Sequence, residues 1–225
     1  MKILIHACPQ RMWYVIDFLV PMLQEQGARD IEIWNDTEQH GNLRSCMDSF
    51  AARIGDGGTW HIQDDVLPCH DFVERCEEYD DGLVYGFCCR NFNDRPDAAG
   101  EVNVSDAWNS FQCVRIPDAW ARECAEWVFS KAWQKESYLP ELQILFGLGK
   151  GDDTFYHEYI NCRHPYETAL NLKPNLVDHI DWLVGGSAIQ HWRDYIARAE
   201  FFDDQYLVEE LSERIKRYQA QIINN

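Results

Sequence analysis

The stretch T-W-H-I-Q-D-D-V-L-P, residues 59–68, decides how this chain is interpreted. Its apolar and β-branched residues are typical of a buried strand that delivers Asp64 and Asp65 to the strand's carboxyl end. In open α/β sheets, ligands bind in the crevice at that end of the strands. Two adjacent carboxylates repel each other unless a cation or hydrogen-bond donors offset their charge, so a divalent metal site is the first hypothesis.

The aspartate pair also has a simpler interpretation. Asp is a favoured helix N-cap, and one of the two residues could cap a helix that begins at Pro68 or Cys69. The same alternative applies to a second pair, Asp152 and Asp153, which follows a glycine-rich segment and precedes a helical pattern. Both interpretations stay open for both pairs.

Strand and helix patterns alternate on either side of this stretch. Short apolar strands are expected at residues 3–7, 31–34 and 82–89, and helical spacing is found at residues 13–26, 41–54 and 68–79. Pro21 is expected to kink or shorten the first helix. The β-α-β-α-β-α-β order predicts an α/β fold, a three-layer α/β/α sandwich with a mostly parallel, Rossmann-like central sheet.

The second half of the chain has a different character. Residues 91–106 are polar and rich in turn formers, which indicates a loop that covers a site. A strand at 108–116 and a helix at about 118–135 follow, and residues 188–225 have the spacing of two amphipathic helices. The expected organisation is one domain over residues 1–190, with a C-terminal helical tail at 191–225 packed on it.

Composition restricts the function. The net charge of −18, from 38 acidic and 20 basic residues, disfavours a general binder of nucleic-acid backbones. The nine cysteines contain no C-x-x-C pair and are expected to be reduced thiols. No segment has the pattern of a signal peptide or a membrane span, so a cytoplasmic protein without a membrane partner is expected.

Taken in order, the motifs resemble those of GT-A glycosyltransferases over roughly residues 1–190. They are the loop bearing Arg11, the second strand ending in Asp36, Q-D-D at 63–65, the Asp152-Asp153 helix start, and P-N-L-V-D-H-I with G-G-S at 174–187. The resemblance implies a catalytic domain that moves a sugar from a nucleotide-sugar donor, most simply a UDP-sugar, to an acceptor hydroxyl.

The resemblance also implies roles for individual residues. Gln63-Asp64-Asp65 would be a variant D-x-D motif, in which Asp65 and the later His179 bind Mn²⁺ or Mg²⁺. Imidazole favours Mn²⁺. Asp152 or Asp153 would be the catalytic base. The donor-binding set would be Ala7, Pro9, Arg11, Asp36, Gln63, Asp64, Gly185, Gly186 and Ser187.

The acceptor is not identified by these motifs. Some small phage enzymes of this type modify DNA bases, so a hydroxylated DNA base is one candidate, although the acidic charge balance argues against DNA. Two other classes remain as alternatives. A sugar-phosphate nucleotidyltransferase would carry a glycine-rich loop after the first strand, and H-A-C-P-Q-R has no glycine. In a non-catalytic nucleotide-binding or interaction domain, both aspartate pairs would be caps.

Overall fold

The computed structural model describes residues 1–86, 100–103, 111–140, 151–172, 175–185 and 205–223. Its strands are β1 Lys2–Ala7, β2 Asp30–Asn35, β3 Gly58–Gln63, β4 Val66–Pro68, β5 Leu83–Tyr85, β6 Gly100–Asn103, β7 Cys113–Pro117, β8 Thr168–Asn171 and β9 Val177–His179. Its helices are α1 Met12–Tyr14, α2 Val20–Glu25, α3 Asn42–Ala51, α4 Phe72–Glu77, α5 Asp118–Phe129, α6 Trp133–Glu136, α7 Asp152–Arg163, α8 Asp181–Val184 and α9 Gln205–Ile223. A 3₁₀ turn, Pro9–Arg11, and a π turn, Val15–Leu19, complete the first helical segment.

A seven-stranded sheet in the order β2-β1-β3-β7-β5-β8-β6 forms the centre of the described chain. Strands β2, β1 and β3 are mutually parallel, as are β5 and β8, while β7 and β6 run against their neighbours. Five of the seven strands therefore point the same way. The predicted α/β fold with a mostly parallel central sheet is confirmed, with two antiparallel strands that the alternation pattern did not indicate.

Neighbouring residues of a strand face opposite sides of the sheet, and each side of this sheet has its own apolar core. On one side, Ile3, Ile5, Trp60 and Ile62 pack against the first helical segment and α9. The other side is covered by α3, α5 and α7 around a second apolar cluster. Helices thus lie on both faces, which is the predicted three-layer arrangement.

Pro21 changes the first helix without ending it. Proline has no N–H to donate to the carbonyl of residue 17, and its ring would press on that carbonyl. The chain meets this constraint with the π turn Val15–Leu19 immediately before α2, a known way of absorbing a local disruption inside a helix. The helical segment then continues to Glu25, close to the predicted end.

Two expectations about the stretch at 59–68 need correction. The strand ends at Gln63, and Val66–Pro68 forms a separate two-stranded ribbon with β9. The next helix begins at Phe72 with Asp71 in the N-cap position, so the capping interpretation of Asp64 and Asp65 is wrong. Both carboxylates instead form ion pairs with Arg11.

The prediction of a loop over residues 91–106 is also partly wrong. Residues 100–103 form β6, an edge strand paired antiparallel with β8, and β8 itself was not predicted. The remainder of that loop lies outside the described residues. The glycine-rich segment before Asp152 also lies outside the described residues, except for Gly151.

The C-terminal helix α9 belongs to the first core. Leu211 and Ile215 are buried in it, and the ring of Tyr218 stacks on Trp13 with 5.7 Å between centroids. Of the two tail helices expected, this one is observed, and the preceding residues lie outside the described part. None of the described helices combines the length and apolar character needed to cross a membrane.

Gly86, just after β5, sits where the sheet leaves no room for a side chain. A Cβ there would lie 2.7 Å from Cys113 Sγ and 3.3 Å from the Trp60 ring. Gly86→Ala is expected to lower the free energy of unfolding by about 1–3 kcal/mol, because the added methyl overpacks the core. Urea unfolding measures this change.

Gly57→Ala is the matched control, since a Cβ at Gly57 would lie 3.9 Å from the nearest other atom, Asp118 Oδ2. Its effect should stay within about 0.5 kcal/mol. Combining Gly86→Ala with Cys113→Ala should cost less than the two single losses added together. Wild-type stability in Gly86→Ala would contradict the close approach.

Candidate functional site

A cavity of about 320 Å³ lies at the carboxyl ends of β1, β2 and β3. Its walls come from the loop after β1, the turn after β2, the start of α3 and the end of β3. The sequence-predicted residues that line it are Ala7, Pro9, Arg11, Asp36, Gln63, Asp64 and Asp65. The three parallel strands bring these residues together, because each strand ends at the same edge of the sheet.

Arg11 holds the two carboxylates at the centre of this site. Its Nη1 lies 2.7 Å from Asp64 Oδ1 and 2.6 Å from Asp65 Oδ2, and all three side chains are buried. The backbone N–H of Cys8 donates to Asp64 Oδ2 at 2.7 Å. A guanidinium therefore supplies positive charge where the sequence interpretation placed a metal ion.

His179, which is distant in sequence, contacts the carboxylate of Asp65. The β4–β9 ribbon pairs Val66 with His179, which places the imidazole next to Asp65. His179 Nε2 lies 3.1 Å from Asp65 Oδ2, and both side chains are almost completely buried. The two residues predicted to share a metal ion are thus neighbours, and the ion itself stays a prediction.

Burial and charge act against each other in this cluster. Burial raises the pKa of Asp64, and the nearby Asp65 raises it further, while Arg11 lowers it. Burial lowers the pKa of Arg11, but the attraction of Asp65 and Asp64 outweighs it, so that the arginine stays charged. Burial and Asp64 raise the pKa of Cys8 to about 11. The Cys8 thiol is therefore expected to be protonated at physiological pH.

Asp36 is a further residue of the cavity wall. Its two carboxylate oxygens accept the backbone N–H groups of His40, at 2.9 Å, and Gly41, at 3.0 Å. Gly41 has φ of 90°, a conformation that favours glycine, and it leads directly into α3. Asp36 thus holds the turn that places α3 beside the cavity.

The predicted catalytic pair, Asp152 and Asp153, begins α7 and does not belong to the described lining of the cavity. Asp152 is buried, and its Oδ1 accepts a hydrogen bond from Asn42 Nδ2 at 2.6 Å. Asn42 lines the cavity, so its side chain lies between Asp152 and the cavity. Burial and the adjacent Asp153 raise the pKa of Asp152 to about 7.

Asp153 is placed differently from its neighbour. It is only partly buried, and its Oδ1 accepts the backbone N–H of Thr154 at 2.7 Å. This is a local contact between neighbouring residues. The N-cap of α7 is Gly151, with no side-chain cap, so the capping alternative is wrong for this pair too. Asp153 nevertheless keeps access to solvent that Asp152 lacks.

The glycine segment after α8 is described only at its first residue. Gly185, at φ of 74°, accepts a hydrogen bond from Arg11 Nε through its carbonyl at 2.7 Å. Its contact with the site is therefore through Arg11. Gly186 and Ser187, the other predicted donor contacts here, lie outside the described residues.

Sequence interpretation missed several residues that line the cavity: His6, Cys8, Gln10, Gln39, Gly41, Asn42, Ser45. Asn42 and Ser45 could have been found, because polar residues three positions apart at a helix start share one face. His6 was hidden inside an apolar strand pattern. Its alternate position puts it on the opposite face from Ile3 and Ile5.

Comparison with known proteins gives a weak structural match and no sequence match. Neither models of protein families nor curated protein sequences match the chain. Among solved structures, the chain is similar to the crystal structure of the glycosyltransferase GlyE in Streptococcus pneumoniae TIGR4, with 11% identity and a TM-score of 0.40. The match covers 76% of this chain and 45% of that one. A likeness of this strength carries no conclusion about activity.

Removal of Arg11 tests the charge balance of the site. Arg11→Met is expected to lower the free energy of unfolding by about 3–5 kcal/mol, because it leaves two buried carboxylates without their counter-charge. The control is Arg44→Met, which breaks an exposed pair with Asp48, at 2.9 Å, and should cost under about 1 kcal/mol. Equal stability of the two variants in denaturant titrations would contradict a buried ion cluster.

Proposed function

We propose that this protein is a metal-dependent glycosyltransferase that binds a nucleotide sugar in the cavity at the ends of β1, β2 and β3. The observation that carries the proposal is the convergence of Arg11, Asp64, Asp65 and His179 at that edge of the sheet. A crevice at the carboxyl ends of parallel strands is where open α/β sheets bind ligands. A UDP-sugar is the donor we expect.

Asp65 and His179 would hold the Mn²⁺ or Mg²⁺ ion. Asp65 Oδ2 and His179 Nε2 lie 3.1 Å apart, and adjacent ligands of a six-coordinate ion with bonds near 2.1 Å lie about 3 Å apart. The donor atoms therefore fit one shared ion, and the imidazole favours Mn²⁺. When bound, the ion would act as a Lewis acid toward the charge that develops on the leaving nucleoside diphosphate.

Arg11 would bind the donor's diphosphate. A guanidinium matches the geometry of phosphate oxygens, and Arg11 already lies on the cavity wall. Since it now shares Asp65 Oδ2 with His179, Arg11 would turn from Asp65 to phosphate in the donor complex. When Arg11 leaves Asp65, the phosphate becomes its new anionic partner and the metal ion takes its place beside the carboxylate, so nucleotide and metal binding should depend on each other.

The remaining donor contacts follow from position. Asp36 and the turn it holds would face the nucleoside, and Asp64, fixed by Arg11 and by the N–H of Cys8, would orient the ribose or the sugar. Ala7, Pro9 and Gln63 would complete the wall. Gly185 would act through its bond to Arg11.

Asp153 is the stronger base candidate of the predicted pair. It is partly exposed, whereas Asp152 is buried and bound to Asn42. A general base must come within hydrogen-bond reach of the acceptor hydroxyl, which requires an accessible carboxylate. The acceptor could be a hydroxylated DNA base, a sugar or a small molecule, and the charge of −18 favours an acceptor without an extended phosphate backbone.

Calorimetry with UDP, with Mn²⁺ and with both tests the donor site. Wild-type protein is expected to bind UDP at least ten times more tightly with Mn²⁺ present, while Asp65→Asn and His179→Gln should each lose most of that gain. The double variant should lose little more than the worse single variant, because both residues serve one ion.

His157→Gln is a suitable control, since it removes a buried imidazole of α7 that does not line the cavity. Unchanged UDP affinity in His179→Gln would remove His179 from the metal site. Unchanged affinity in Asp65→Asn would overturn the glycosyltransferase proposal.

Product analysis separates this activity from its nearest rival. A glycosyltransferase releases UDP from a UDP-sugar, whereas a nucleotidyltransferase releases pyrophosphate from UTP and a sugar phosphate. With an acceptor that supports UDP release, Asp153→Asn is expected to lower kcat by about 10²–10⁴-fold with donor affinity unchanged, because a base acts in the transition state. Wild-type kcat in this variant would exclude Asp153 as the base.

A further inference from the structure

Four potential metal ligands meet beneath the cavity, on the face of the sheet covered by α3 and α7. His6 comes from β1, His61 from β3, Cys46 from α3 and Asp152 from α7. One ligand atom from each lies within 4.8 Å of all the others, and the four residues are buried. Of the four, only His6 also lines the described cavity.

His61 is the residue that most needs an explanation. It is fully buried, and neither of its ring nitrogens has a hydrogen-bond partner among the described residues. A neutral imidazole always carries one N–H donor and one acceptor, and each costs free energy when buried without a partner. The rings of Phe50, Phe111 and His6 surround it at 5.5–5.7 Å between centroids and offer no replacement for water. A metal ion would use one of these nitrogens.

We propose that His6, Cys46, His61 and Asp152 bind one zinc ion in a closed tetrahedral site that joins the sheet to α3 and α7. Two imidazoles, a thiolate and a carboxylate are typical zinc ligands, and a full set of four protein ligands is typical of a structural site. The charges also balance, since Zn²⁺ is neutralised by one thiolate and one carboxylate. A neutral complex is suited to a buried position.

Contacts around the cluster support this assignment. Ser45 Oγ lies 3.0 Å from His6 Nε2, and Asn42 Nδ2 donates to Asp152 Oδ1 at 2.6 Å. Outer contacts of this kind fix the orientation of metal ligands. Ligands of a tetrahedral zinc ion lie about 3.3–3.8 Å apart at the usual bond lengths, so the four side chains would close around the ion by about 1 Å.

The site would be distinct from the one proposed at Asp65 and His179. It contains a sulfur ligand, it has four protein ligands, and no step of sugar transfer requires it. It is independent of the glycosyltransferase proposal, and a protein with no transferase activity could still carry it.

Cobalt substitution tests the site directly in the full chain. The purified protein is analysed for bound zinc by mass spectrometry, stripped with a chelator, and titrated with Co²⁺. We expect one tightly bound equivalent with the intense visible bands of tetrahedral cobalt and a sulfur-to-cobalt charge-transfer band. Cys46→Ser should abolish the charge-transfer band, and Asn42→Ala should weaken the affinity by about 10–100-fold through the loss of an outer contact.

Cys124→Ser and Cys8→Ser are the matched controls. Cys124 is equally buried in the same core, and Cys8 lines the cavity. Both variants should keep the band. The wild-type titration decides the question even if Cys46→Ser fails to fold, since a spectrum without a sulfur band, or no binding of Co²⁺ and Zn²⁺, overturns the proposal. Survival of the band in a folded Cys46→Ser, or its loss in either control, would also overturn it.

Discussion

The ion cluster of Arg11 with Asp64 and Asp65 is the interaction on which this edge of the molecule depends. Two carboxylates at the end of a buried strand are unfavourable unless a cation lies between them, and Arg11 reaches both within 2.7 Å. Its Nε also donates to the carbonyl of Gly185. One side chain thereby connects the loop after β1, the end of β3 and the segment after α8, so the shape of the cavity follows from its position.

Much of this edge could be predicted because its signals are local. The apolar patterns of β1, β2 and β3 identify three parallel strands, and parallel strands collect the residues that follow them, including Asp36 and Asp64. The pairing of Arg11 with Asp64 and Asp65 could not be predicted. The distance from the guanidinium to the two carboxylates depends on a 3₁₀ turn and on a ribbon whose two strands are only three residues long.

The remaining errors come from short strands with distant partners. A three- or four-residue strand such as β8 or β9 has no periodicity to detect, and its pairing is settled by the sheet that receives it. His6 and His61 were missed for a different reason. Each stands in a strand that is mostly apolar, and only the alternation of side chains reveals that both imidazoles face the helices. A polar residue in a mostly apolar strand is therefore a sequence signal for a polar site on the face of the sheet to which its side chain points.

The buried carboxylates of Asp64 and Asp65 are stabilised differently from that of Asp152, and this difference determines which ligands each site can bind. At Asp64 and Asp65 a guanidinium already neutralises much of the charge, so a metal ion gains there only if Arg11 finds another anion. A nucleoside diphosphate provides one, which favours joint binding of metal and nucleotide. At Asp152 the hydrogen-bond partners are uncharged, the amide of Asn42 and the thiol of Cys46, and two imidazoles are close by. That site suits a cation bound alone, because the ligand charges balance it without a second partner.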